Sequence, residues 1–333
     1  RGMNDEILYL AAALVSFALC AVFSAALLPL LRRLKAGQTV LFYVDKHEGK
    51  SGTPTMGGIA FLLAASISVI AFSPSKVGKI AAAATLGYGL LGFLDDFIKV
   101  IMKRNLGLKA YQKIIGQLGI SAILTAYGVL ELDSGTVLRI PFTGIEADIG
   151  LWYIPLAMFV YVAAVNAVNL TDGLDGLAAG TGSVYFVVFG VICATAFSVG
   201  GEADDASLAV FSFALVGALA AFLWLNSNPA KVFMGDTGSL ALGGAAASVA
   251  VFSGNALLLP LVGIMYVVSC ISVIVQVLWF KRTGKRVFLM APYHHHLEYK
   301  GIKENKIVAY YVIITAAAGA LALLSDAIGY GAV

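Results

Sequence analysis

Residues 80–99 read Ile-Ala-Ala-Ala-Ala-Thr-Leu-Gly-Tyr-Gly-Leu-Leu-Gly-Phe-Leu-Asp-Asp-Phe-Ile-Lys, an apolar run that ends in two adjacent aspartates and a lysine. A run of about 20 apolar residues is long enough to cross the hydrocarbon of a bilayer. Acidic residues at the end of such a segment are costly, so they are candidates for function. The stretch predicts a membrane helix that carries functional carboxylates, Asp95 and Asp96, at one membrane face.

The whole chain has the composition of a membrane protein. Of its 333 residues, 60% are apolar and only 12% are charged, which leaves too few polar residues for a soluble globule. We predict an all-α integral membrane protein, with residues 1–333 forming a single polytopic domain of about ten spans. The predicted spans are Ile7–Leu31, Thr55–Phe72, Ile80–Phe97, Ile114–Leu132, Leu151–Val168, Leu177–Val199, Leu208–Leu225, Leu240–Ser253, Ala256–Phe280 and Ile307–Ile328.

Basic residues are unevenly distributed between these spans. Eighteen of the 22 Lys and Arg residues follow odd-numbered spans. Because cytoplasmic loops carry an excess of Lys and Arg, both termini are expected outside. An alternating pattern over residues 133–150 predicts a small external β-hairpin. The loops expected in the cytoplasm, where we place the catalytic groups, are 32–54, 98–113, 169–176, 226–239 and 281–306.

The third span and the loop after it combine carboxylates with lysines. Two adjacent carboxylates, Asp95 and Asp96, repel each other unless a cation lies near them, and Lys99 is within one helical turn of both. The pair is suited to holding Mg²⁺ or to taking a proton from a phosphate; the alternative is a solvated helix end with a salt bridge. Lys109 and Lys113 share a helical face and can grip a phosphate, or are ordinary flanking charges.

The loop between spans 5 and 6, residues 166–177, reads Asn-Ala-Val-Asn-Leu-Thr-Asp-Gly-Leu-Asp-Gly-Leu and contains no basic residue. Its amides and carboxylates can hydrogen-bond to a sugar, a base or a hydrated metal. An N-cap role for one residue is the alternative, but a cap does not explain so many polar groups. We therefore predict binding roles for Asn166, Asn169, Asp172 and Asp175.

Span 8 opens with Phe-Met-Gly-Asp-Thr-Gly-Ser at residues 233–239. A helix N-terminus offers free N–H groups and a positive dipole to a phosphate. Asp236 is a hard oxygen ligand suited to Mg²⁺. Phe233 can stack on a nucleobase, although interfacial aromatic residues are common in membrane proteins, and Asn226 adds a polar group upstream.

The last inner loop contains three consecutive histidines, His294, His295 and His296. Consecutive residues on a helix diverge by about 100°, so the three are a poor zinc site. Recognition of a pyrophosphate, with one imidazole in proton transfer, fits them better. In the first inner loop, Lys50 and Thr55 can reach a phosphate near the start of span 2.

Taken together, these motifs resemble those of the phospho-N-acetylmuramoyl-pentapeptide transferase family, within the polyprenyl-phosphate N-acetylhexosamine-1-phosphate transferase superfamily. The resemblance covers essentially the whole chain. It rests on residues 50–58 (Lys-Ser-Gly-Thr-Pro-Thr-Met-Gly-Gly), 95–99, 166–176, 233–239 and 292–298 (Pro-Tyr-His-His-His-Leu-Glu).

The resemblance implies a homodimeric enzyme of the bacterial plasma membrane with a cytoplasmic active site. Its reaction is the Mg²⁺-dependent transfer of phospho-MurNAc-pentapeptide from UDP-MurNAc-pentapeptide to undecaprenyl phosphate, which releases UMP. Asp236 and Asp172 are then expected to ligate Mg²⁺. Asp95, supported by Asp96, is expected to deprotonate or orient the lipid phosphate, with direct attack by an aspartate as the rival mechanism.

The remaining roles follow the same implication. Lys99, Lys109 and Lys113 are expected to hold phosphates, and His294–His296 to attend the pyrophosphate or sugar. The uridine pocket is assigned to Asn169, Leu170, Asp172 and Phe233.

Two other functions compete with this one. A sister transferase would use UDP-GlcNAc as the donor. A cation-coupled transporter also places carboxylates in a membrane, but its sites tend to lie at the midplane, whereas these acids lie at one face. No nucleic-acid partner is expected.

Overall fold

The computed structural model describes residues 3–33, 52–102, 106–132 and 135–331. Two short strands, β1 (Val137–Ile140) and β2 (Ile145–Asp148), form the sheet. The helices are α1 Met3–Arg33, α2 Gly58–Phe72, α3 Lys76–Met102, α4 Ala110–Glu131, α5 Tyr153–Thr171, α6 Leu177–Ser198, α7 Ala203–Asn226, α8 Gly235–Phe252, α9 Leu259–Val262, α10 Ile264–Thr283, α11 Tyr293–Tyr299 and α12 Glu304–Gly331.

The predicted all-α membrane architecture is confirmed. Within the described ranges, eight helices are long and apolar enough to cross a membrane: α1, α3, α4, α5, α6, α7, α10 and α12. The predicted spans 2 and 8 are shorter helices, α2 with 15 residues and α8 with 18. Almost every residue of α8 is buried, so this helix forms the centre of the bundle.

Some predicted boundaries differ from the structure. Helix α3 does not end at the two aspartates but continues to Met102, so both carboxylates lie inside the helix. Helix α8 begins at Gly235, in agreement with a span that opens within residues 233–239, and Asp236 lies in its first turn. The predicted ninth span is broken into a 3₁₀ turn, α9 and α10, because Pro260 starts a new helix and Gly263 ends it.

Small residues allow the central helices to approach closely. A Cβ atom added at Gly92 of α3 would lie 2.0 Å from the carbonyl oxygen of Asp236, and one at Gly244 of α8 would lie 2.2 Å from the Tyr88 ring. Side-chain-free positions of this kind let helix backbones pack against each other in membranes. The approach at Gly92 brings the aspartates of α3 to the N-terminus of α8.

The predicted β-hairpin is confirmed. Strand β1 pairs antiparallel with β2, with Leu138 opposite Ala147 and Ile140 opposite Ile145. The hairpin lies near the C-terminal end of α8, since the Arg139 N–H donates to the carbonyl of Gly254 at 3.0 Å. The bundle therefore has two distinct ends, one marked by Asp236 and the other by the hairpin.

Candidate active site

Three carboxylates meet at the N-terminus of α8. Asp95 and Asp96 come from α3 and Asp236 from α8, and each offers one oxygen within 4.8 Å of the others. Within the part of the chain that the structure describes, this is the one group of three or more acidic, His or Cys side chains close enough to hold a metal ion. The prediction that these acids belong to one site agrees with this placement.

Two lysines bridge the carboxylates. The Lys99 Nζ lies 2.6 Å from Asp95 Oδ2 and 3.0 Å from Asp236 Oδ2. The Lys113 Nζ, which reaches in from α4, lies 2.6 Å from Asp236 Oδ2 and 3.1 Å from Asp95 Oδ1. The cluster thus contains three carboxylates and two ammonium groups, and it retains one net negative charge.

Asp96 caps the N-terminus of α8 from a neighbouring helix. Its Oδ1 accepts the Asp236 N–H at 3.2 Å, and its Oδ2 accepts the Thr237 N–H at 2.9 Å and the Thr237 hydroxyl at 2.8 Å. These donors are among the N–H groups that a helix leaves without an internal partner. Asp96 therefore holds α3 and α8 together, a role that its sequence position alone did not suggest.

Asp95 is enclosed by donors. Its Oδ1 accepts the Leu108 N–H at 2.7 Å in addition to the Lys113 contact. A Cβ atom at Gly107 would lie 2.4 Å from the same oxygen, so the loop before α4 wraps closely around the carboxylate. The Asp95 side chain is 1% exposed, whereas that of Asp236 is 17% exposed. Of these two carboxylates, Asp236 is the one more open to a ligand.

The end of α5 contributes amides to the site. Asn169 Nδ2 donates to Asp236 Oδ1 at 3.0 Å and to Ser239 Oγ at 2.8 Å. Asn166 lies one turn earlier and donates to the side chain of Gln117 on α4 at 2.6 Å. Asn169 thus touches the cluster directly, while Asn166 joins α4 to α5 beneath it.

Gln117 was missed by sequence reasoning, although a signal existed. It lies four residues after Lys113 on α4, on the same face, and it is fully buried. A buried glutamine inside an apolar span requires a polar partner. The Asn166 amide meets that requirement.

The two aspartates of the α5–α6 connection have different surroundings. Asp175 is buried; its Oδ2 accepts the Asn228 amide at 3.1 Å and the Ala230 N–H at 3.0 Å. Its own N–H donates to Glu304 at the start of α12. Burial raises the pKa of Asp172 well above its ordinary value, and the negative field of Asp236 adds to this effect. Asp175 joins the α5–α6 connection to the loop before α8 and to the start of α12. Asp172 lies in the negative field of Asp236.

The segment before α8 pairs with the segment before α2. The Phe233 N–H donates to the Pro54 carbonyl at 2.8 Å, and the Gly57 N–H donates back to Phe233 at 2.9 Å. Thr55 is buried here, with its hydroxyl beside Gly235. This pairing brings Thr55 and Phe233 to the rim of the carboxylate cluster.

The predicted polar residue Asn226 lies further from the cluster. Its side-chain amide donates to the carbonyl of Val232 at 3.0 Å. This bond closes the loop that leads into α8, so Asn226 shapes the segment that presents Asp236.

The three histidines lie on the short helix α11 and point in different directions. His294 is buried against Gly173, where a Cβ atom would lie 2.2 Å from its Nε2. His295 Nδ1 contacts Glu298 Oε2 at 2.7 Å. His296 accepts the Leu289 N–H at 3.1 Å, and partial burial together with Lys300 lowers the pKa of its imidazole. His294 thus reaches the α5–α6 connection, and the other two do not share that contact.

Three other residues were predicted to belong to the site. Lys50 lies outside the described residues. Lys109 is exposed at the N-cap of α4, where its backbone N–H donates to the Gln112 side chain at 2.9 Å. Leu170 is partly buried at the end of α5.

The donor set fits a hard divalent cation. Carboxylate oxygens are the protein ligands that such cations prefer, usually one or two of them together with phosphate oxygens. Asp236 satisfies this requirement because it is the most exposed carboxylate of the group and lies beside the positive end of α8. The remaining negative charge of the cluster favours the same kind of ion.

Proteins of known name are similar to nearly the whole chain. A model of glycosyl transferase family 4 matches residues 79–254, and signature 1 of phospho-N-acetylmuramoyl-pentapeptide-transferase matches residues 50–62. A phospho-N-acetylmuramoyl-pentapeptide-transferase of Desulfitobacterium hafniense is 46% identical, over 96% of this chain and 98% of its own. Proteins of the same name from Desulforamulus reducens and Geobacillus kaustophilus are 47% and 48% identical, each over 92% of this chain, and over 92% and 94% of their own lengths.

The protein is an integral membrane enzyme, because it is this similar to named transferases over almost its full length and has apolar helices. The transporter alternative is therefore wrong. The carboxylates and lysines that meet at the N-terminus of α8 all lie within the segment matched by the family model. The chain belongs to the phospho-N-acetylmuramoyl-pentapeptide-transferase family of phosphoglycosyl transferases.

Proposed function

We propose that the protein transfers phospho-MurNAc-pentapeptide from UDP-MurNAc-pentapeptide to undecaprenyl phosphate and releases UMP. The observation that carries this proposal is the cluster in which Lys99 and Lys113 bridge Asp95 and Asp236. Such a cluster offers both positive groups for phosphates and a carboxylate for a metal ion. The names of the relatives supply the identity of the transferred group.

Mg²⁺ is the proposed cofactor, with Asp236 as its main protein ligand and Asp172 as the second. When bound, Mg²⁺ neutralises negative charge on a pyrophosphate. Lys99 and Lys113 would hold the phosphates as the bond to UMP breaks. Both ammonium groups already lie within 3.0 Å of an Asp236 oxygen, so a phosphate at the metal would be within their reach.

Asp95 is best suited to positioning the two lysines. Its Oδ1 accepts the Leu108 N–H, its oxygens form ion pairs with Lys99 and Lys113, and it is almost fully buried. A phosphate monoester has a second pKa of about 6, so the lipid phosphate is largely ionised at neutral pH without a strong base. Of the predicted roles for Asp95, orientation of the phosphate site is therefore favoured over proton abstraction and over direct attack.

The donor's nucleoside and sugar are proposed to lie along the rim of the cluster. Asn169, Leu170 and Phe233 would contact the uridine, and His294 to His296 would lie near the pyrophosphate or sugar. The contact of His294 with Gly173 supports this arrangement, because it brings α11 against the α5–α6 connection.

The membrane placement completes the proposal. The excess of Lys and Arg at the cluster end of the bundle supports a cytoplasmic active site in the bacterial plasma membrane. The water-soluble donor would then arrive from the cytoplasm, and the lipid acceptor from the bilayer. We propose a homodimer as the working form, as the family resemblance implies.

The direct test measures UMP release by the full-length protein in detergent with undecaprenyl phosphate. UDP-MurNAc-pentapeptide and UDP-GlcNAc are compared as donors, each with Mg²⁺, with EDTA, and with Mg²⁺ restored after EDTA. Metal-dependent release from the muramoyl donor alone is expected. Release from UDP-GlcNAc alone would assign the protein to the sister branch and contradict the proposal.

The metal assignment is tested by Asp236→Asn, which keeps the shape of the side chain but removes its charge. Release of UMP is expected to fall roughly 100- to 1000-fold, as for loss of a group that stabilises charge during the reaction. Asp148→Asn, on an exposed part of the hairpin at the other end of the bundle, is the matched control and should leave the rate unchanged.

A further inference from the structure

A cavity of about 410 Å³ opens at the end of the bundle opposite the carboxylate cluster. Its lining comes from the β-hairpin, the turn after α8 and the last turns of α12. Helix α8 has 18 residues at about 1.5 Å each, so it separates the cavity from Asp236 by about 27 Å. The cavity is therefore a site distinct from the active site.

The walls of the cavity are tied together by backbone hydrogen bonds. The Phe142 N–H in the hairpin turn donates to the hydroxyl of Ser325 on α12 at 2.7 Å. The Arg139 N–H of β1 donates to the carbonyl of Gly254 after α8 at 3.0 Å. These bonds join three separate parts of the chain, so the cavity is a preformed site of the kind that takes small ligands.

The charged groups of the cavity favour a cationic ligand. Its lining contains Arg139, Glu146 and Asp326. Arg139 Nε lies 2.9 Å from Glu146 Oε1, so this guanidinium is already engaged by one carboxylate. Asp326 adds a second carboxylate, so the lining contains two acidic side chains and one basic side chain. An ammonium group, with three donors and one positive charge, complements this surplus.

The surroundings of the cavity point to a lipid as the source of that ammonium. Helix α12 is apolar enough to span the membrane, so the cavity at its last turns lies near a membrane interface. Ile145 and Phe142 of the hairpin are 56% and 47% exposed, and Trp152, which follows the hairpin in sequence, is also exposed. Apolar side chains exposed at an interface can contact acyl chains, and interfacial tryptophans are common there.

We propose that this cavity binds the headgroup of an aminophospholipid such as phosphatidylethanolamine. The ammonium group binds Asp326 and Glu146, the phosphodiester lies beside Arg139, and the acyl chains follow the exposed face of the hairpin. This site does not depend on the proposed reaction, because none of its groups contacts the carboxylate cluster among the described residues.

The test is native mass spectrometry of the full-length protein titrated with phosphatidylethanolamine and phosphatidylglycerol of identical acyl chains. The unaltered protein is expected to prefer phosphatidylethanolamine. Asp326→Asn removes one charge-assisted hydrogen bond and should weaken that affinity about fivefold, with phosphatidylglycerol unaffected. Glu146→Gln, on the exposed hairpin, is a second variant that leaves α12 intact and should act in the same direction.

Asp204→Asn is the matched control, since Asp204 is an acidic residue at the same end of the bundle that does not line the cavity. It should leave the preference unchanged. Equal affinity for both lipids in the unaltered protein, or an unchanged preference in Asp326→Asn and Glu146→Gln, would overturn the proposal. Displacement of the lipid by an equal concentration of glycerophosphoethanolamine would show that the free headgroup is the ligand and would overturn the lipid assignment.

Discussion

The two ends of helix α8 satisfy their polar groups in different ways. At the C-terminal end, neutral donors suffice: the Tyr153 hydroxyl donates to the Val251 carbonyl at 2.7 Å, and the Asn255 amide donates to the Ser253 carbonyl at 3.1 Å. At the N-terminal end, three carboxylates and two ammonium groups meet. Both ends belong to the same buried helix, and at the N-terminal end charged side chains contact its first turn directly.

The difference shows that the charge exceeds what the fold requires. Asp96 alone accepts the N–H groups of Asp236 and Thr237 at the start of α8. Asp95, Lys99 and Lys113 are not needed for these two bonds, yet they occupy a poorly solvated position that costs free energy. The proposed function would account for their presence, because phosphates and a metal ion are charged ligands.

The largest effect is expected from Asp95→Asn. An amide cannot balance Lys99 and Lys113, and breaking a buried ion pair costs about 3–5 kcal/mol. If the transition state loses the same amount of stabilisation, UMP release falls roughly 150- to 5000-fold. Steady-state rates with the muramoyl donor provide the measurement. A rate above one-tenth of that of the unaltered protein would mean that the charged end is not specialised for the reaction.

Gly92→Ala tests whether the charged end depends on close packing of α3 against α8. The added methyl group would meet the Asp236 carbonyl oxygen, and overpacking of this kind costs about 1–3 kcal/mol. The midpoint of thermal denaturation in detergent should fall, together with activity. Gly119→Ala on α4 is the control, because a Cβ atom there has no neighbour within 4 Å. An equal response of both variants would contradict the packing argument.

A smaller effect is expected from Gln117→Leu, which removes the partner of Asn166. Loss of one buried hydrogen bond costs about 1–3 kcal/mol when the other group stays unsatisfied. The double variant with Asn166→Leu should lose less stability than the sum of the two single variants, because no unpaired amide remains. Thermal denaturation of all three variants measures the coupling, and additive losses would show that the pair is not linked.

The smallest effect is expected at the hairpin end of the bundle, from Ser325→Ala. The variant loses the hydrogen bond from the Phe142 N–H, which is worth about 1 kcal/mol, and it lies at the opposite end of the bundle from the cluster. UMP release should therefore be unchanged while the thermal midpoint falls slightly. A clear loss of activity would show that the two ends are energetically coupled.

Much of the architecture was predictable because hydropathy over a window of residues is a local property. The membrane helices, the hairpin and the clustering of acids at one end of the bundle all follow from such windows. Helix boundaries were less predictable. Two examples are the break at Pro260 and Gly263 and the continuation of α3 to Met102. Both depend on short-range stereochemistry, which the length of an apolar segment does not indicate.

The sequence predicted which residues lie in the candidate site better than it predicted what each of them contacts. Asp95, Asp236 and Lys113 lie together as expected, but Asp96 proved to be a cap for another helix. Asn166 faces Gln117, and Asp175 braces loops. A side chain's type and spacing indicate which chemistry it can perform, whereas its partner is decided by whatever the fold places opposite it.

The amino-acid sequence by itself determined that this chain spans a membrane, that its acidic residues gather at one face, and that its motifs are those of a phosphoglycosyl transferase. These properties are carried by composition and by short motifs. Only the tertiary structure decided that Asp236 is the more open carboxylate, that Asp95 is enclosed by Lys99, Lys113 and Leu108, and that a charged cavity lies at the far end of the bundle. The reason is physical: exposure and pairing arise from contacts between residues distant along the chain, such as Asp96 with Thr237 across 141 positions.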